Sequence, residues 1–469
     1  MKKMEFTGGV KLQPGVFSRS YSPREGKSVS VAYHTPSQSI TFLEDDSAEV
    51  WKRLYESGGE TAPALDYILK NGTFEGDPQS EAKEVLLSFV EQLRASHLLN
   101  SPGTPSIALV ETSQAECSVK TAVSQTENME LEVSQFMADH RMLYSLVVEL
   151  TYRCNERCVH CYLPEETRLK ELSLGQIDSL LGEFASLGGF MILLTGGEPF
   201  IREDFIEILS LVKKYGLVTS INSNLTLLND RILEAIASIH PRSVGVSIYA
   251  GRADLHDAIT TNKGSFEKSV NAIRRLRKAG VPVIIKSPLM KSTAPHWREI
   301  EALANDLGCD YQFDLSITAK NDGKLSPLAQ RVTDNAVLED IFASRYYRLY
   351  VNDEPMSAMV GPSPETGLCG AGASGLCISP DGVIRPCIGL TTPIGRWPEN
   401  SLDEVWRTSP FFSEFGAIRM NEITPCNNCS DFKYCSRCPG AWHAEHGDYR
   451  KPSSYSCTLA HAWATVQQR

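Results

Sequence analysis

Three cysteines within a stretch of eight residues constrain this chain more than any other feature of its sequence. Cys154, Cys158 and Cys161 follow directly after a strand-like apolar segment, residues 145–150, and form a CxxxCxxC loop. Three thiolates at this spacing are able to bind three irons of a 4Fe-4S cluster and leave the fourth iron open to a ligand. The alternative is a zinc site or a chance cluster of cysteines, but zinc normally takes four ligands arranged in CxxC pairs.

Length and charge narrow the class of protein further. The chain has 469 residues, more than a single hydrophobic core usually supports, so we expect two or three domains. Its net charge of -11 disfavours nucleic acid or an anionic membrane as the main partner. We predict neither a signal peptide nor a membrane span, because no apolar run follows the first lysines and no long apolar stretch occurs elsewhere. These features predict a cytoplasmic protein, in which 13 cysteines do not form a disulfide framework.

The middle of the chain alternates between strand-like and helix-like patterns. Amphipathic helices fit between the strands, for example at residues 176–187 and 266–279. The predicted strands are residues 145–150, 190–194, 218–222, 243–248, 281–285 and 311–315. This α/β alternation predicts a parallel sheet, curved or closed as a partial barrel, with function at the carboxyl ends of the strands.

The N-terminal part has a pattern of its own. Two short strands, residues 29–33 and 39–43, are followed by three amphipathic helices, which suggests a small winged-helix-like domain. A segment rich in Ser, Thr, Glu and Gln then predicts a linker of low order that contains Cys117. The predicted divisions are a domain at 8–100, a linker at 101–140, a barrel at 141–325, a connecting segment at 326–368 and a Cys-rich domain at 369–469.

The cysteine loop and the aromatic residue after it, Tyr162, together resemble the signature of the radical S-adenosylmethionine (SAM) superfamily. The resemblance implies a partial (β/α)6 barrel whose open iron binds the amino and carboxylate groups of SAM, which is then cleaved to a 5'-deoxyadenosyl radical. A second segment, Thr195-Gly-Gly-Glu-Pro199, follows the next strand and resembles the family motif that holds the SAM amino group. The implied contacts in this motif are Gly196, Gly197 and Glu198.

Polar residues at the next two strand ends extend the implied SAM site. Asn222, Ser223 and Asn224, and Ser247 on the following strand, resemble the family's ribose or carboxylate contacts. Each is also a residue type found in ordinary turns or strands. Some family members have arginine where Thr260 stands, so we assign no SAM-carboxylate ligand at that position.

Residues 369–469 contain eight cysteines whose order resembles the SPASM extension of radical SAM peptide maturases. The resemblance implies two auxiliary 4Fe-4S clusters, and therefore three clusters in all. The first would be bound by Cys369, Cys377, Cys387 and Cys438, and the second by Cys426, Cys429, Cys435 and Cys457. Cys435 and Cys438 are separated by two residues where the family usually has three. The alternative is a zinc knuckle at residues 426–438, which leaves four cysteines unexplained. Saturated clusters favour electron transfer or structural support over direct ligation of substrate.

Sequence alone does not identify a catalytic base. In the sulfatase-maturing relatives an acidic base follows the third cysteine of the first auxiliary set, and here that position is Ile388. Acid/base or substrate-orienting candidates near the strand ends are Lys286, Asp314 and Tyr249, each of which has an alternative as a surface or core-edge polar group.

The N-terminal pattern resembles the peptide-recognition element of maturases of ribosomally made peptides, which is related to the pyrroloquinoline quinone biosynthesis chaperone. That element binds a leader sequence by strand addition. A DNA-binding winged helix or a packing domain is the alternative, and the acidic segments at residues 44–46 and 75–77 disfavour DNA.

The sequence therefore predicts an enzyme that modifies a precursor peptide carrying a leader, most simply by forming a thioether or carbon-carbon cross-link. A reductase, flavodoxin or ferredoxin is the expected electron donor. Epimerisation, backbone excision and decarboxylation remain alternatives, because all of them begin with the same hydrogen abstraction. A non-catalytic iron-sulfur protein and a zinc-stabilised DNA-binding regulator are alternatives from other classes.

Overall fold

The computed structural model describes residues 10–22, 28–100, 129–164, 169–347 and 367–468. It divides into two compact units. One extends to Met142 and includes the short segment Gly216–Val218, and the other contains the remaining residues. We describe each unit by itself.

A three-stranded antiparallel sheet and four helices build the first unit. The strands occur in the order β1-β2-β3, with Val31 opposite Phe42 in the β2–β3 pair. Trp51 and Phe89 are fully buried in the core that the helices build with the sheet. The elements are β1 Val16–Tyr21, β2 Val29–His34, β3 Ser39–Glu44, α1 Asp45–Glu56, α2 Ala62–Asn71, α3 Pro78–Ala95 and α4 Met129–Asp139. The winged-helix-like element is confirmed, with β1 as a strand that the sequence pattern did not predict.

Helix α4 falls inside the segment predicted as a linker. Met129, Val133 and Met137 are buried at helical spacing, and the ring of Phe136 lies 5.2 Å from that of Phe42 on β3. The expectation of low order is therefore wrong for residues 129–139, where a short apolar stripe is enough to dock a helix. Residues 101–128, which include Cys117, lie outside the described residues.

The second unit is organised around a nine-stranded sheet with the order β12-β11-β10-β4-β5-β6-β7-β8-β9. Its strands are β4 Ser145–Thr151, β5 Met191–Gly196, β6 Val218–Ser223, β7 Ser243–Ser247, β8 Val283–Pro288, β9 Asp310–Asp314, β10 Gly375–Ile378, β11 Val383–Arg385 and β12 Gly395–Arg396. The pairs β4–β5, β6–β7, β7–β8 and β8–β9 are parallel. The predicted partial barrel is thereby confirmed.

Helices separate the strands from β4 to β9 along the chain, as the alternating pattern predicts, and further helices follow β9 and β12. They are α5 Leu174–Ser186, α6 Phe205–Lys214, α7 Asp230–Ser238, α8 Ala253–Thr260, α9 Ser265–Lys278, α10 Trp297–Leu307, α11 Asn335–Phe342, α12 Leu402–Thr408, α13 Pro410–Ala417, α14 Pro439–His446 and α15 Ser454–Gln467. A capping box at Ser173 and Gln176 begins α5.

The Cys-rich C-terminal part extends the barrel sheet, which its weak sequence pattern did not predict. Strand β10 pairs in parallel with β4, with Gly375 opposite Ser145, and β11 and β12 continue outward as antiparallel strands. Parallel strands cannot be joined by a short hairpin turn, so no turn residues in the sequence indicate that β10 pairs with β4. The first barrel strand therefore lies directly beside the chain that carries the auxiliary cysteines.

Candidate active site

A cavity of about 750 Å³ opens at the carboxyl ends of the barrel strands. It brings together most of the residues that the sequence singled out, while their individual roles stay predictions. Its lining includes Cys154, Cys158, Cys161, Tyr162, Gly196, Gly197, Asn222, Ser223, Asn224, Ser247, Tyr249, Lys286 and Asp314. Ile388, at the position where the sulfatase-maturing relatives have a base, lines the same cavity. Among the predicted SAM contacts, only Glu198 is not part of the lining.

Backbone hydrogen bonds hold the cysteine loop against the end of α8. The N–H of Arg157 donates to the carbonyl of Thr260 at 3.0 Å, and the N–H of Val159 donates to the carbonyl of Ile259 at 3.1 Å. These contacts use the main chain of Thr260, so the loop is anchored there whatever side chain occupies that position.

Polar groups approach the loop cysteines inside the cavity. The Tyr249 hydroxyl lies 3.7 Å from Sγ of Cys158, and Nδ2 of Asn224 lies 4.0 Å from Sγ of Cys154. Burial raises the pKa of the Cys154 thiol to about 12 and raises that of Cys158 as well. The thiols are therefore protonated at neutral pH without metal, and binding a cluster must release their protons.

A hydrogen-bond network that the sequence analysis missed fixes the middle of this loop. His256 Nδ1 accepts from the N–H of Tyr249 at 3.2 Å, so its Nε2 carries the proton and donates to Ser265 Oγ at 3.2 Å. The Ser265 hydroxyl donates to Glu156, whose other carboxyl oxygen lies 3.8 Å from Sγ of Cys158. Burial lowers the pKa of His256 to about 4 and raises that of Glu156. The sequence signal that could have indicated this network is Glu156, a carboxyl residue between two cysteines of the loop.

His160, between the last two cysteines of the loop, also lines the cavity. Its ring packs edge to face against Tyr249 at 4.7 Å, and its buried Nδ1 has no hydrogen-bond partner in the described part of the chain. Burial lowers its pKa to about 4, so the imidazole is neutral at pH 7 and offers a polar atom to a bound molecule.

Glu198 of the Gly-Gly-Glu-Pro segment is completely buried. Its carboxylate accepts from the N–H of Phe200 at 3.0 Å, from the Ser223 hydroxyl at 2.8 Å and from the N–H of Asn224 at 2.8 Å. Burial raises its pKa to about 7. This side chain joins the end of β5 to the end of β6, and in this geometry the backbone of Gly196 and Gly197 is what faces the cavity.

The side chain of Asn224, like that of Glu198, is hydrogen-bonded to neighbouring parts of the chain. Its Oδ1 accepts from the backbone and the hydroxyl of Thr226 at 2.9 and 2.7 Å, while its Nδ2 donates to Oδ1 of Asn155 at 3.0 Å. Asn155 belongs to the cysteine loop, so this asparagine ties the loop to β6. Contacts of Ser223 and Asn224 with SAM remain predictions.

The floor of the cavity is formed where Asn222, Gly245 and Lys286 meet on three adjacent strands. A Cβ atom on Gly245 would lie 2.3 Å from Oδ1 of Asn222 and 2.9 Å from Cε of Lys286. Glycine is therefore required for these two side chains to converge. Burial lowers the pKa of Lys286, and the positive charge of Arg242 acts in the same direction.

Asp314, at the end of β9, opens into the cavity from the other side. Asp314 is exposed to solvent. Its Oδ1 accepts from the N–H of Ser316 at 2.7 Å, and desolvation by the surrounding protein raises its pKa despite this hydrogen bond. Burial also raises the pKa of the Cys438 thiol, to which the negative charges of Cys387 and Asp314 add. Asp314 thus lines the cavity, and its charge also acts on Cys438, a predicted ligand of the first auxiliary cluster.

The predicted first auxiliary set converges in space. A Cβ atom on Gly389 would lie 3.8 Å from Sγ of Cys387 and 3.9 Å from Sγ of Cys438. Burial raises the pKa of the thiols of Cys369, Cys377 and Cys438, and charge on Cys387 adds to each of these shifts. Cys387 is therefore the common neighbour of the other three.

The predicted second auxiliary set is gathered in the same way. Burial raises the pKa of Cys435 to about 12, and charges on Cys426, Cys457 and Cys429 raise it further. Cys429 and Cys457 are exposed, whereas Cys426 and Cys435 are half-buried. The two interleaved sets implied by the sequence resemblance are thus separate groups in the structure.

Each predicted auxiliary set consists of cysteines alone, a ligand type that iron-sulfur clusters and structural zinc sites both use. In the described ranges, no group of three or more His, Cys, Asp or Glu side chains is arranged to hold a single metal ion. The choice between cluster and zinc therefore depends on the comparison with known proteins.

Comparison with known proteins identifies the class. Residues 148–306 match the radical SAM superfamily, and residues 369–439 match the SPASM iron-sulfur cluster-binding domain. This chain is a radical SAM/SPASM enzyme, and SAM and iron-sulfur clusters are its cofactors. The zinc and non-catalytic alternatives are therefore set aside.

Individual relatives act on different substrates. The AdoMet-dependent heme synthase of Methanosarcina barkeri is 28% identical over 332 residues, which cover 66% of this chain and 94% of the relative. The PqqA peptide cyclase of Rhodopseudomonas palustris is 25% identical over 311 residues, 63% of this chain and 82% of the relative.

A solved structure resembles nearly the whole fold. Streptococcus suis SuiB, bound to precursor peptide SuiA, matches with a TM-score of 0.61 and 15% identity, over 95% of this chain and 99% of SuiB. At this identity the likeness concerns the fold alone. Among the described helices, none has both the length and the apolar character needed to cross a membrane.

Proposed function

We propose that this enzyme modifies a ribosomally synthesised precursor peptide and closes a thioether or carbon-carbon cross-link within it. The observation that carries the proposal is the position of Asp314, which lines the same cavity as Cys154, Cys158 and Cys161 and whose charge acts on Cys438 of the predicted first auxiliary set. With a cluster bound at that set, a proton acceptor and an electron acceptor would both be close to the bound substrate, as an oxidative cross-link needs.

The chemistry of such a cross-link removes two hydrogens from the peptide. SAM, when bound and reductively cleaved, supplies the radical that takes the first hydrogen atom. The second hydrogen leaves as a proton and an electron when the new bond forms. A base must accept the proton, and an oxidised centre must accept the electron. The first auxiliary cluster, when bound, supplies that electron acceptor.

Asp314 is the proposed proton acceptor. Its side chain opens into the cavity and desolvation by the surrounding protein raises its pKa, which brings the carboxylate closer to the basicity that proton transfer near neutral pH requires. Ile388, in the position of the sulfatase-maturing base, has no group that accepts a proton. In this chain the carboxylate of Asp314, at the end of β9, would accept the proton instead.

Lys286 and Tyr249 would orient bound groups and would not transfer protons. Lys286 holds a positive charge at the cavity floor beside Asn222, where it would bind a carboxylate or carbonyl oxygen of SAM or of the peptide. Tyr249 stands beside Cys158 and would donate its hydroxyl to that thiolate when the cluster is bound.

Three 4Fe-4S clusters are proposed in all. Their ligands would be the loop cysteines and the two auxiliary sets, and the electrostatic effects of the thiols on one another within each set support this assignment. An external reductase, flavodoxin or ferredoxin would supply the electron that starts the reaction.

A peptide substrate is supported by the first unit. Its sheet has β3 as an outer strand, and a leader peptide would pair with such an edge. The PqqA peptide cyclases and the SuiB fold point to the same substrate class. With leader and core on one peptide, binding at the edge would raise the local concentration of the core at the cavity.

Heme synthesis is the second candidate, because three relatives with that name are 26–28% identical to this chain over the matched residues. Hydrogen abstraction also begins oxidative decarboxylation, so the same barrel serves either substrate. The peptide is favoured because the SuiB-like fold covers 95% of the chain, the first unit included.

The test is co-expression of the holoenzyme with a candidate precursor peptide without oxygen, followed by high-resolution mass spectrometry. Loss of two hydrogens per event, with no fragmentation inside a ring, is the expected result. An unchanged mass with deuterium uptake from solvent would indicate epimerisation, and a lost backbone segment would indicate excision. Turnover of an iron porphyrin carboxylate, with every peptide unmodified, would overturn the proposal in favour of the second candidate.

A further inference from the structure

Arg385 and Cys377 face each other across the β10–β11 pair. This register brings Nη2 of Arg385 to 3.4 Å from Sγ of Cys377, and both residues are buried. A guanidinium N–H is therefore aimed at the sulfur that the first auxiliary set assigns to a cluster. A protonated thiol is a weak acceptor, whereas the thiolate of a bound cluster is a strong one.

The same guanidinium reaches the first barrel strand. Its Nη2 also donates to the carboxylate of Glu149, which is completely buried on β4. Cys377 pairs with Val147 in the parallel β10–β4 register, and Glu149 lies two residues further along the same face. Nε of Arg385 is buried without a hydrogen-bond partner in the described residues, which leaves one more donor available to a bound cluster.

Glu149 in turn connects this pair to the SAM site. Tyr152 donates to one carboxyl oxygen at 2.9 Å, and Tyr162 donates to the other at 3.1 Å. Tyr162 directly follows Cys161 and lines the cavity. The buried charge of Glu149 is thus shared among two tyrosines and Arg385. Of these three donors, Arg385 is the one that also donates to a cysteine sulfur within the described ranges.

We infer that Arg385 sets the reduction potential of the first auxiliary cluster through its hydrogen bond to Cys377, and that Glu149 limits the size of this effect. A cluster gains one negative charge when it is reduced. A positive donor at 3.4 Å from a ligand sulfur stabilises the reduced form and raises the potential, and a nearby carboxylate acts in the opposite direction. A higher potential makes this cluster a better acceptor of an electron from substrate.

This inference rests on the proposed assignment of Cys377 to the first auxiliary cluster, but not on the identity of the substrate. Its test is a potentiometric titration of the reconstituted holoenzyme, followed by electron paramagnetic resonance. The signal of the SAM cluster is assigned with a Cys154→Ala, Cys158→Ala, Cys161→Ala variant, and that of the second auxiliary cluster with Cys429→Ala. Both measurements work without any peptide.

Variants of Arg385 and of Glu149 should shift the midpoint potential of the first auxiliary cluster in opposite directions. Arg385→Met removes the donor and should lower the midpoint potential of the first auxiliary cluster, so that the reduced-to-oxidised ratio at the wild-type midpoint falls roughly tenfold. Glu149→Gln removes the opposing charge and should raise that potential. The double variant removes both buried charges, leaves neither unpaired, and should lie between them.

Arg396→Met is the matched control. Arg396 is on the neighbouring strand β12 and pairs with Asp381, so the variant loses the same charge from the same sheet without contact to a cysteine. Its three potentials should be unchanged. Equal potentials in Arg385→Met, Glu149→Gln and the wild type would overturn the inference. So would selective loss of the first auxiliary cluster from the double variant, because the arginine would then hold the cluster rather than tune it. Failure of the proposed peptide chemistry would leave all of these shifts in place.

Discussion

Asn222 on β6 and Lys286 on β8 meet above Gly245 of the strand between them. Both side chains lie this close to the backbone of Gly245 because glycine has no side chain, and a Cβ atom at this position would overlap Oδ1 of Asn222 at 2.3 Å. The floor of the active-site cavity is therefore determined by one missing methyl group.

Gly245→Ala should displace both side chains and damage SAM binding. Overpacking of this kind usually costs about 1–3 kcal/mol of stability, and we expect SAM affinity to fall roughly tenfold or more. Calorimetric titration of SAM into the reconstituted enzyme measures the affinity. Gly175→Ala is the control, since a Cβ there meets no atom within 4 Å. Unchanged affinity in Gly245→Ala would show that these side chains do not shape the SAM site.

Asp314→Asn should uncouple hydrogen abstraction from product formation. Without a proton acceptor, 5'-deoxyadenosine should still form while the cross-linked peptide falls roughly 100-fold or more. Asp310→Asn, at the opposite end of the same strand and outside the lining of the cavity, should retain both activities. A base whose pKa desolvation raises is active only above that pKa, so the wild-type single-turnover rate should increase with pH through a value above that of an ordinary aspartate. An identical pH profile in Asp314→Asn would exclude this residue as the base.

Glu198 should make the metal-free protein less stable at higher pH. Its folded pKa of about 7 lies above that of an unfolded chain, so between the two values the folded protein keeps a proton that the unfolded chain has released. Its contribution is therefore complete at low pH and is lost as pH rises through 7. The loss amounts to about 3 kcal/mol at most. Urea unfolding at pH 5 and pH 8 should show the same difference in Glu203→Gln as in the wild type, whereas the difference in Glu198→Gln should be smaller by up to about 3 kcal/mol.

Ser265→Ala should weaken the SAM-cluster loop selectively. It removes the hydroxyl that donates to the buried Glu156, and leaving such a group unsatisfied costs about 1–3 kcal/mol. We expect lower occupancy of the SAM cluster, with both auxiliary clusters retained, in iron analysis and paramagnetic resonance. Ser210→Ala, on the exposed face of α6, provides the comparison. Equal loss of all clusters would show a general folding defect instead.

Single cysteine variants should remove one cluster at a time. Cys369→Ala and Cys426→Ala belong to different auxiliary sets, and each should lower the iron content by about four atoms per chain. Cys309→Ala, a buried cysteine outside every set, should keep the full content. A loss of all iron in either set variant would contradict two independent auxiliary groups.

Much of the barrel was predictable because parallel strands carry their signal locally. The six predicted strands appear within a few residues of their expected positions, since buried alternation as in β8 is visible in the sequence. The cysteine sets were implied by family order, and their assignment to particular clusters stays a prediction. Strand β1 was missed because its residues are mostly half-buried. Strands β10 to β12 were missed because each is only two to four residues long and depends on distant partners.

The finer parts of the site were not predictable for a related reason. Glu149 and Arg385 are 236 residues apart, and no short-range pattern reports their pairing. The importance of Gly245 depends on side chains of the strands on either side, and the orientation of Glu198 depends on donors from β6. Local sequence identified residue types suited to the chemistry, whereas tertiary contacts determine which of them face the cavity.

The pairing of β10 with β4 also has a consequence for how the enzyme is made. During translation, β4 emerges 230 residues before Gly375, so β4 is an outer strand of the growing sheet until the Cys-rich segment leaves the ribosome. Cys377 lies on β10, the strand that then pairs with β4. Completion of the sheet and delivery of an auxiliary-cluster ligand are thus the same late event in the synthesis of the chain.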